Sequence, residues 1–475
     1  MLKNKKILLI IFFVAFLIRL IAINQSLWLD EATTARVVRD FGFTQIVSGF
    51  SPNDFHPPLY YLLMKAWTNI FNYSEIALRM PSVIFNLLAG YFVYLLGKKI
   101  KNEDTGLWAA AFFLFNPLIV YYSQEARMYM TATFLLTAAL YFCFAVCHAE
   151  LVSASAFSKT RSRNKFGMTK EVILFNIFAI LSFVTFYGSI FLIIPMYLYL
   201  LYRKQYKYFL ISFLSIIFSF LILSPLLYQQ FTNAKEQLQL VPNWKQVLGK
   251  TNLKNLLLIP IKFSIGRISF EPKWLYWSIA GFWTSIVWFF AIKGGFKNKF
   301  LMFVIIGSLG LATVMSLLTP LLQYFRFLYL IPVLCLLIAL GSAKFHRVKL
   351  GSSRFVGKWL VLTGFLAFSF AYLLIPNFHR EDWKSLTKSL PRKPEIYMIT
   401  SSADPIKYYK SDLKIKDLKN IPKKINKKEF FVLPYTADIH GVNYRKRLAE
   451  QKFSLVEKKA YRGIILERWR RYNAM

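Results

Sequence analysis

Apolar runs long enough to cross a hydrocarbon core of about 30 Å recur from Ile7 to Pro376, and this feature decides the fold class. A bilayer core offers no water to exposed backbone N–H and C=O groups. A chain of this kind therefore spans it as helices that close their hydrogen bonds within each segment. Only 17% of the residues are charged, against about 25% in ordinary soluble domains, while 56% are hydrophobic and 18% aromatic. The expectation is an all-α polytopic membrane protein.

The excess of Lys and Arg over Asp and Glu, 60 to 23, follows from the preference of short cytoplasmic loops for positive charge, so nucleic acid is not expected as a partner. Cys143, Cys147 and Cys335 all lie in apolar stretches, which excludes a disulfide framework and a zinc ribbon. Cys143, Cys147 and His148 share helical spacing, as ordinary core packing also requires. Lys3, Lys5 and Lys6 precede the run Ile7 to Ile23 without a small-x-small cleavage site, so this run reads as an uncleaved first span.

The basic connections thread the rest. Span one delivers Asp30 and Glu31 to the outside, and Lys98-Lys99-Ile100-Lys101 fixes the next cytoplasmic point. One crossing fits between them. Met80 to Leu96 is the more uniformly apolar candidate. Pro57 to Asn72, with Lys65 and Asn69 among aromatics, reads as an amphipathic helix lying in the interface. Crossings then follow at Gly106–Tyr122, Arg127–Cys147, Ile173–Tyr187, Ile190–Tyr202, Tyr208–Tyr228, Trp274–Ile292, Leu301–Leu318, Phe327–Leu340 and Leu360–Ile375. That makes about eleven spans, thirteen at most.

Residues 1–376 thus form the membrane domain, with a first outer loop at 24–78 and a long outer loop at 229–273. Residues 377–475 form a small outer α/β domain, with strands at Glu395–Ser401, Phe430–Pro434 and Arg462–Trp469 and a helix at His440–Gln451. The segment 148–170 breaks the style of its surroundings and resembles a translated interspersed repeat. It is expected to be an inserted, disordered cytoplasmic loop without chemistry.

The threading uses only apolar runs and basic loops, yet it gathers the remaining ionisable groups on one side. Asp30, Glu31, His56, Arg79, Tyr122, Gln124, Glu125, Arg127, Arg326 and the run Arg380-Glu381-Asp382-Trp383-Lys384 all fall at outer span ends. Ionisable groups at membrane level are costly unless they serve a site. Arg79 and Arg326 are equally readable as headgroup anchors, Lys65 as a snorkelling side chain, and Asp382 and Trp383 as structural residues of a domain junction. Asp30-Glu31 has no bland equivalent. One of these carboxylates suits general-base chemistry on a hydroxyl, and the arginines with His56 suit a phosphate leaving group.

At these residues the chain resembles the GT-C superfamily of membrane glycosyltransferases, in the branch of protein O-mannosyltransferases and lipid A aminoarabinose transferases. Trp28-x-Asp-Glu-Ala, His56-Pro-Pro-Leu-Tyr-Tyr, Glu75-x-x-x-Arg79-x-Pro-Ser, Asn116-Pro and Tyr122-Ser-Gln-Glu-Ala-Arg-x-Tyr occur in family order. The resemblance implies an inverting transfer of one sugar from a polyprenyl-phosphate carrier to a lipid, glycan or protein acceptor. Asp30 would act as base, with Glu31 the other catalytic candidate. His56 falls where some relatives place a lysine near the carrier phosphate. Glu125 and Arg127 match the second outer motif, and Arg326-Phe327 resembles an Arg-Tyr pair. Tyr122 and Gln124, with Lys65, Asp382 and Trp383, are substrate or structural candidates. The resemblance also implies no obligatory metal, a divalent cation being the less favoured reading, and a bacterial inner-membrane location with the site facing outward. A lipid-linked glycan flippase and an oligosaccharide ligase or polymerase remain the competing readings.

Overall fold

The computed structural model describes residues 2–155, 170–342, 356–392 and 394–472. Helix α1 (Leu2–Leu20) leads into α2 (Leu29–Asp40), the single turn α3 (Phe43–Gln45), and α4 (Leu59–Phe71). Helices α5 (Glu75–Ile100), α6 (Glu103–Phe115), α7 (Pro117–Ser123), α8 (Tyr129–Ser155), α9 (Lys170–Phe183), α10 (Ile190–Tyr202) and α11 (Tyr206–Leu240) follow. Short α12 (Trp244–Leu248) and α13 (Leu253–Ile265) precede α14 (Lys273–Gly295), α15 (Lys299–Ser316), α16 (Ile331–Gly341) and α17 (Val356–Leu374).

Local chemistry places the helix ends. Ser74 accepts from the Ala77 amide at the start of α5, and Asn102 from the Thr105 amide at the start of α6. Between α6 and α7 the chain bends by 61° at Asn116-Pro117. Pro117 has no N–H to continue α6, and Asn116 caps α7 through the amides of Leu118 and Ile119 while donating to the Phe263 carbonyl at 2.8 Å.

Among the described residues seven helices are long and apolar enough to cross a membrane, or eight if the bent α6–α7 pair is one span. The other three expected crossings fall on α1, which carries Lys3, Lys5, Lys6 and Arg19, and on the short α9 and α10. Helix α8 and the segment Tyr324–Gly341 are each 83% buried along their apolar windows and form the centre, whereas α11 is 17% buried and lies at the rim. A Cβ on Gly294 would sit 1.9 Å from the Leu337 carbonyl, and one on Gly341 1.8 Å from that of Phe290. Only glycine lets α14 and α16 come so close.

Two expectations need correction. The long outer loop begins as helix, since α11 continues to Leu240, and it holds α12 and α13 as well. Helix α8 likewise runs past His148 to Ser155, into the expected inserted loop; residues 156–169 lie outside the described residues, as does the basic stretch 344–349.

The C-terminal domain contains α18 (Trp383–Ser389), α19 (Asp404–Tyr409) and α20 (Tyr444–Glu450). Its strands are β1 (Ile396–Met398), β2 (Ile415–Asp417), β3 (Glu429–Leu433), β4 (Phe453–Tyr461) and β5 (Ile464–Arg471). They form one mixed sheet in the order β2-β1-β3-β5-β4, with β1 parallel to β2 and β3, and β5 antiparallel to β3 and β4. Alternation puts Ile396 and Met398 in a cluster with Trp383, Leu386 and Ile406, and Tyr397 in another with Phe430, Val432 and Trp469. Strands β2 and β4 were not expected. The first has three residues, and the second is an edge strand whose exposed middle, Glu457-Lys458-Lys459, carries no apolar alternation.

The domain grips the first loop. Asp404, at the start of α19, accepts from Thr33 Oγ1 at 2.7 Å and pairs with Arg36 on α2. Tyr408 donates to the Tyr73 carbonyl at 2.6 Å, Tyr409 accepts from the Leu27 amide at 2.9 Å, and Lys384 Nζ lies 2.9 Å from Glu75 Oε1.

Candidate active site

Consecutive side chains on a helix diverge by about 100°, so Asp30 and Glu31, in the first turn of α2, cannot face the same place. Glu31 points inward and is fully buried, while the Asp30 side chain is 37% exposed. Arg79 grips Glu31 through Nε–Oε1 at 2.8 Å and Nη2–Oε2 at 2.7 Å, and the Ala126 amide adds a bond to Oε1 at 2.9 Å. The remaining Arg79 donors reach the carbonyls of Ile23, Gln25 and Ser26. Burial alone would raise the Glu31 pKa, but Arg79, Arg380 and these hydrogen bonds outweigh it and hold the carboxyl below the usual range. For Glu31, the other catalytic candidate, and Arg79, an expected phosphate ligand, this geometry favours a structural role: all five guanidinium N–H groups are spent inside the protein.

Arg380, just past α17, ties this pair to a second buried acid. Its Nε lies 3.5 Å from Glu31 Oε2, its Nη2 donates to Glu125 Oε2 at 3.1 Å, and its Nη1 to Tyr372 Oη at 3.2 Å. Its guanidinium carbon sits 4.3 Å from the centre of the Tyr121 ring, and that of Arg267 at 4.9 Å, with Arg267 Nη1 donating to Tyr121 Oη at 2.8 Å. Glu125 Oε1 is buried without a hydrogen-bond partner. Burial pushes the Glu125 carboxyl up to about 7 against the attraction of Arg380, and Glu31 pushes in the same direction as burial.

The part of the cluster that includes the part-exposed Asp30 centres on Arg127, itself buried. Its Nε is 3.9 Å from Asp30 Oδ2 and its Nη1 donates to Tyr61 Oη at 3.1 Å. Asp54 lies 3.3 Å from His56 Nδ1; burial would raise its pKa, but His56 and Arg127 pull it below the usual range. Asp30 and Arg127 thus form one close pair, and Asp54 and His56 another. Tyr122 and Tyr129 pack on Phe325 at 6.3 and 5.5 Å between ring centres, which brings Arg326 to the same side; Arg326 Nη1 donates to the Pro320 carbonyl at 3.1 Å.

The other candidates hold the frame. Lys65 Nζ donates to the Val38 carbonyl at 2.7 Å near the end of α2, and Gln124 Nε2 to the carbonyls of Arg19 and Ile21 at 2.8 and 2.6 Å. Asp382 caps α18 through the Ser385 amide at 3.0 Å, and Trp383 is fully buried against Tyr435. Tyr122 is buried among aromatic rings. Asp54 was not singled out by the sequence, and Arg380 only as one of the ionisable groups gathered at outer span ends. The only hint for Asp54 was its place two residues before His56. Among the described residues no three His, Cys, Asp or Glu side chains converge as metal ligands would.

The model of the family described as dolichyl-phosphate-mannose-protein mannosyltransferase matches residues 55–228. Among solved structures, ArnT from Cupriavidus metallidurans in the apo state is similar at a TM-score of 0.56 and 11% identity, over 97% of this chain and 97% of that one. The same protein bound to undecaprenyl phosphate gives a TM-score of 0.56 and 11% identity over 98% and 97%. The apo oligosaccharyltransferase of Archaeoglobus fulgidus gives 0.52 and 14% over 86% of this chain and 64% of that one. No curated protein sequence matches. A family model thus matches part of the first half of this multi-pass membrane protein, and along nearly its whole length the chain is similar in fold to ArnT.

Proposed function

We propose that the chain transfers a single sugar from a polyprenyl-phosphate carrier to an envelope acceptor with inversion at the anomeric carbon. One observation carries the reading: of two adjacent carboxylates, Glu31 is sealed in a salt bridge, and Asp30 stands part-exposed beside a buried arginine. In this scheme the acceptor hydroxyl gives its proton to Asp30 as its oxygen attacks the anomeric carbon from the face opposite the phosphate. The bond from that carbon to the phosphate oxygen breaks, and the electron pair leaves with the polyprenyl phosphate. Arg127 answers the charge of the departing phosphate, with Arg326 and Arg267 on the same side. Undecaprenyl phosphate bound to a protein of the same fold supports a lipid-phosphate carrier. In this reading the site faces the non-cytoplasmic side of a bacterial inner membrane, the orientation that the positive-inside threading favours.

The test is Asp30→Asn. Transfer should fall by about 10²–10⁴-fold while the fold and carrier binding persist. Near-normal turnover in that variant would place the base elsewhere.

A further inference from the structure

A cavity of about 920 Å³, whose lining does not include Asp30, lies between the C-terminal sheet and the segment that follows α11. Tyr435, Tyr444 and Tyr461 contribute to its walls, with Asn243, Asp438 and Arg445 as polar groups. Small-molecule sites occupy roughly 300–1,000 Å³ and combine apolar or aromatic walls with a few fixed polar groups. Arg445 and Asn243 are held in place. Glu467 is fully buried and accepts from Arg445 Nη2 at 2.6 Å and from Tyr444 Oη and Trp469 Nε1 at 3.0 Å each, while Arg445 Nε donates to Tyr444 Oη at 3.2 Å. Asn243 Nδ2 donates to the Asp438 carbonyl at 2.8 Å, and its amide to the Ile439 carbonyl at 3.2 Å. Asp438 itself is exposed.

We infer that this cavity seats the saccharide portion of the acceptor, which makes the acceptor a glycan or glycolipid. A sugar ring has an apolar C–H face bordered by hydroxyls, and it fits a wall of tyrosine rings with a carboxylate, an amide and a guanidinium at the edge. The volume admits more than one ring. Two links join the cavity to the candidate site. Tyr435 donates to Glu381 Oε1 at 3.4 Å, and Glu381 directly follows Arg380, which pairs with Glu31 and Glu125. Trp244, next to Asn243, packs edge-on against Phe55 at 5.3 Å, beside His56. A chain of sugars seated against the tyrosines is thereby directed toward Asp30.

The inference rests on the glycosyltransfer reading, and its test separates the two. Saturation-transfer NMR on the full chain in micelles would use maltotriose, chitotriose and delipidated lipopolysaccharide core as probes, with a serine-rich peptide as the contrasting arm. At least one oligosaccharide should bind, and its affinity should fall roughly tenfold or more in Asp438→Ala and in Tyr435→Ala, as loss of a charged hydrogen bond or a stacking face would cause. Asp30→Asn should leave this binding intact, so the cavity can be assigned even if Asp30 is not the base. Binding of none of the three probes, equal binding in both cavity variants, or displacement of the sugar by the peptide would overturn the proposal. Melting curves of both variants keep misfolding from being read as loss of a site.

Discussion

Arg79 and Glu31 form a bidentate pair in which neither side chain has any exposure to solvent. Removing one partner of such a pair strands the other charge in a dry interior, at a cost of about 3–5 kcal/mol. Arg79→Ala and Glu31→Ala should therefore both fail in folding, with a large drop in Tm or loss of detergent-stable protein. A variant of Arg79 that melts normally but loses only carrier binding would restore its expected role as a phosphate ligand.

The sequence made Asp30 and Glu31 look like one acid pair because adjacency in the chain is visible and direction around a helix is not. Once α2 is drawn from Leu29, the two must separate, and the partner that closes over Glu31 lies on α5, 48 residues away. Arg380 shows the same limit more strongly, since its bond to Glu125 spans 255 residues and depends on how α17 docks beside α7. The helical class and the amphipathic character of α4, which buries Tyr60, Tyr61 and Met64 and exposes Ile70 and Phe71, follow from periodicity alone. Strand β4 did not, because an edge strand stays wet and polar.

Arg127 faces both the proposed base and the Tyr61 hydroxyl, so it has a geometry that lysine cannot copy. Arg127→Lys should weaken polyprenyl-phosphate binding by roughly tenfold or more, the value of a charge-assisted hydrogen bond, with little change in Tm. Titration of the purified variant with undecaprenyl phosphate is the measurement. Unaltered affinity would remove Arg127 from the carrier site.

Glu125 should make stability depend on pH near neutrality. Burial raises its carboxyl from 4.5 to about 7 in the fold, so folding favours the protonated form. The stability gained in this way is complete below the unfolded value and is lost as pH rises through about 7. The total is on the order of 3 kcal/mol. Wild-type Tm should fall between pH 5 and pH 8, and Glu125→Gln, which cannot ionise, should show a flatter profile across that window. Parallel profiles for the two proteins would mean that Glu125 stays ionised throughout.

Asp404 is the C-terminal domain's hold on the helix that presents Asp30. It accepts from Thr33 and pairs with Arg36, one and nearly two turns along α2 from the carboxylate, and none of its bonds reaches the Arg127 cluster. Small displacements of a reacting group cost rate without costing binding, and a shift of about 1 Å can remove 10²-fold. Asp404→Ala should therefore lower kcat by about tenfold to a hundredfold while leaving undecaprenyl-phosphate affinity unchanged. Thr33→Val should lower it by less, because Arg36 still holds the carboxylate, and the double variant should be no worse than Asp404→Ala alone. Strictly additive losses would instead mean that Thr33 and Asp404 act on the site by separate routes.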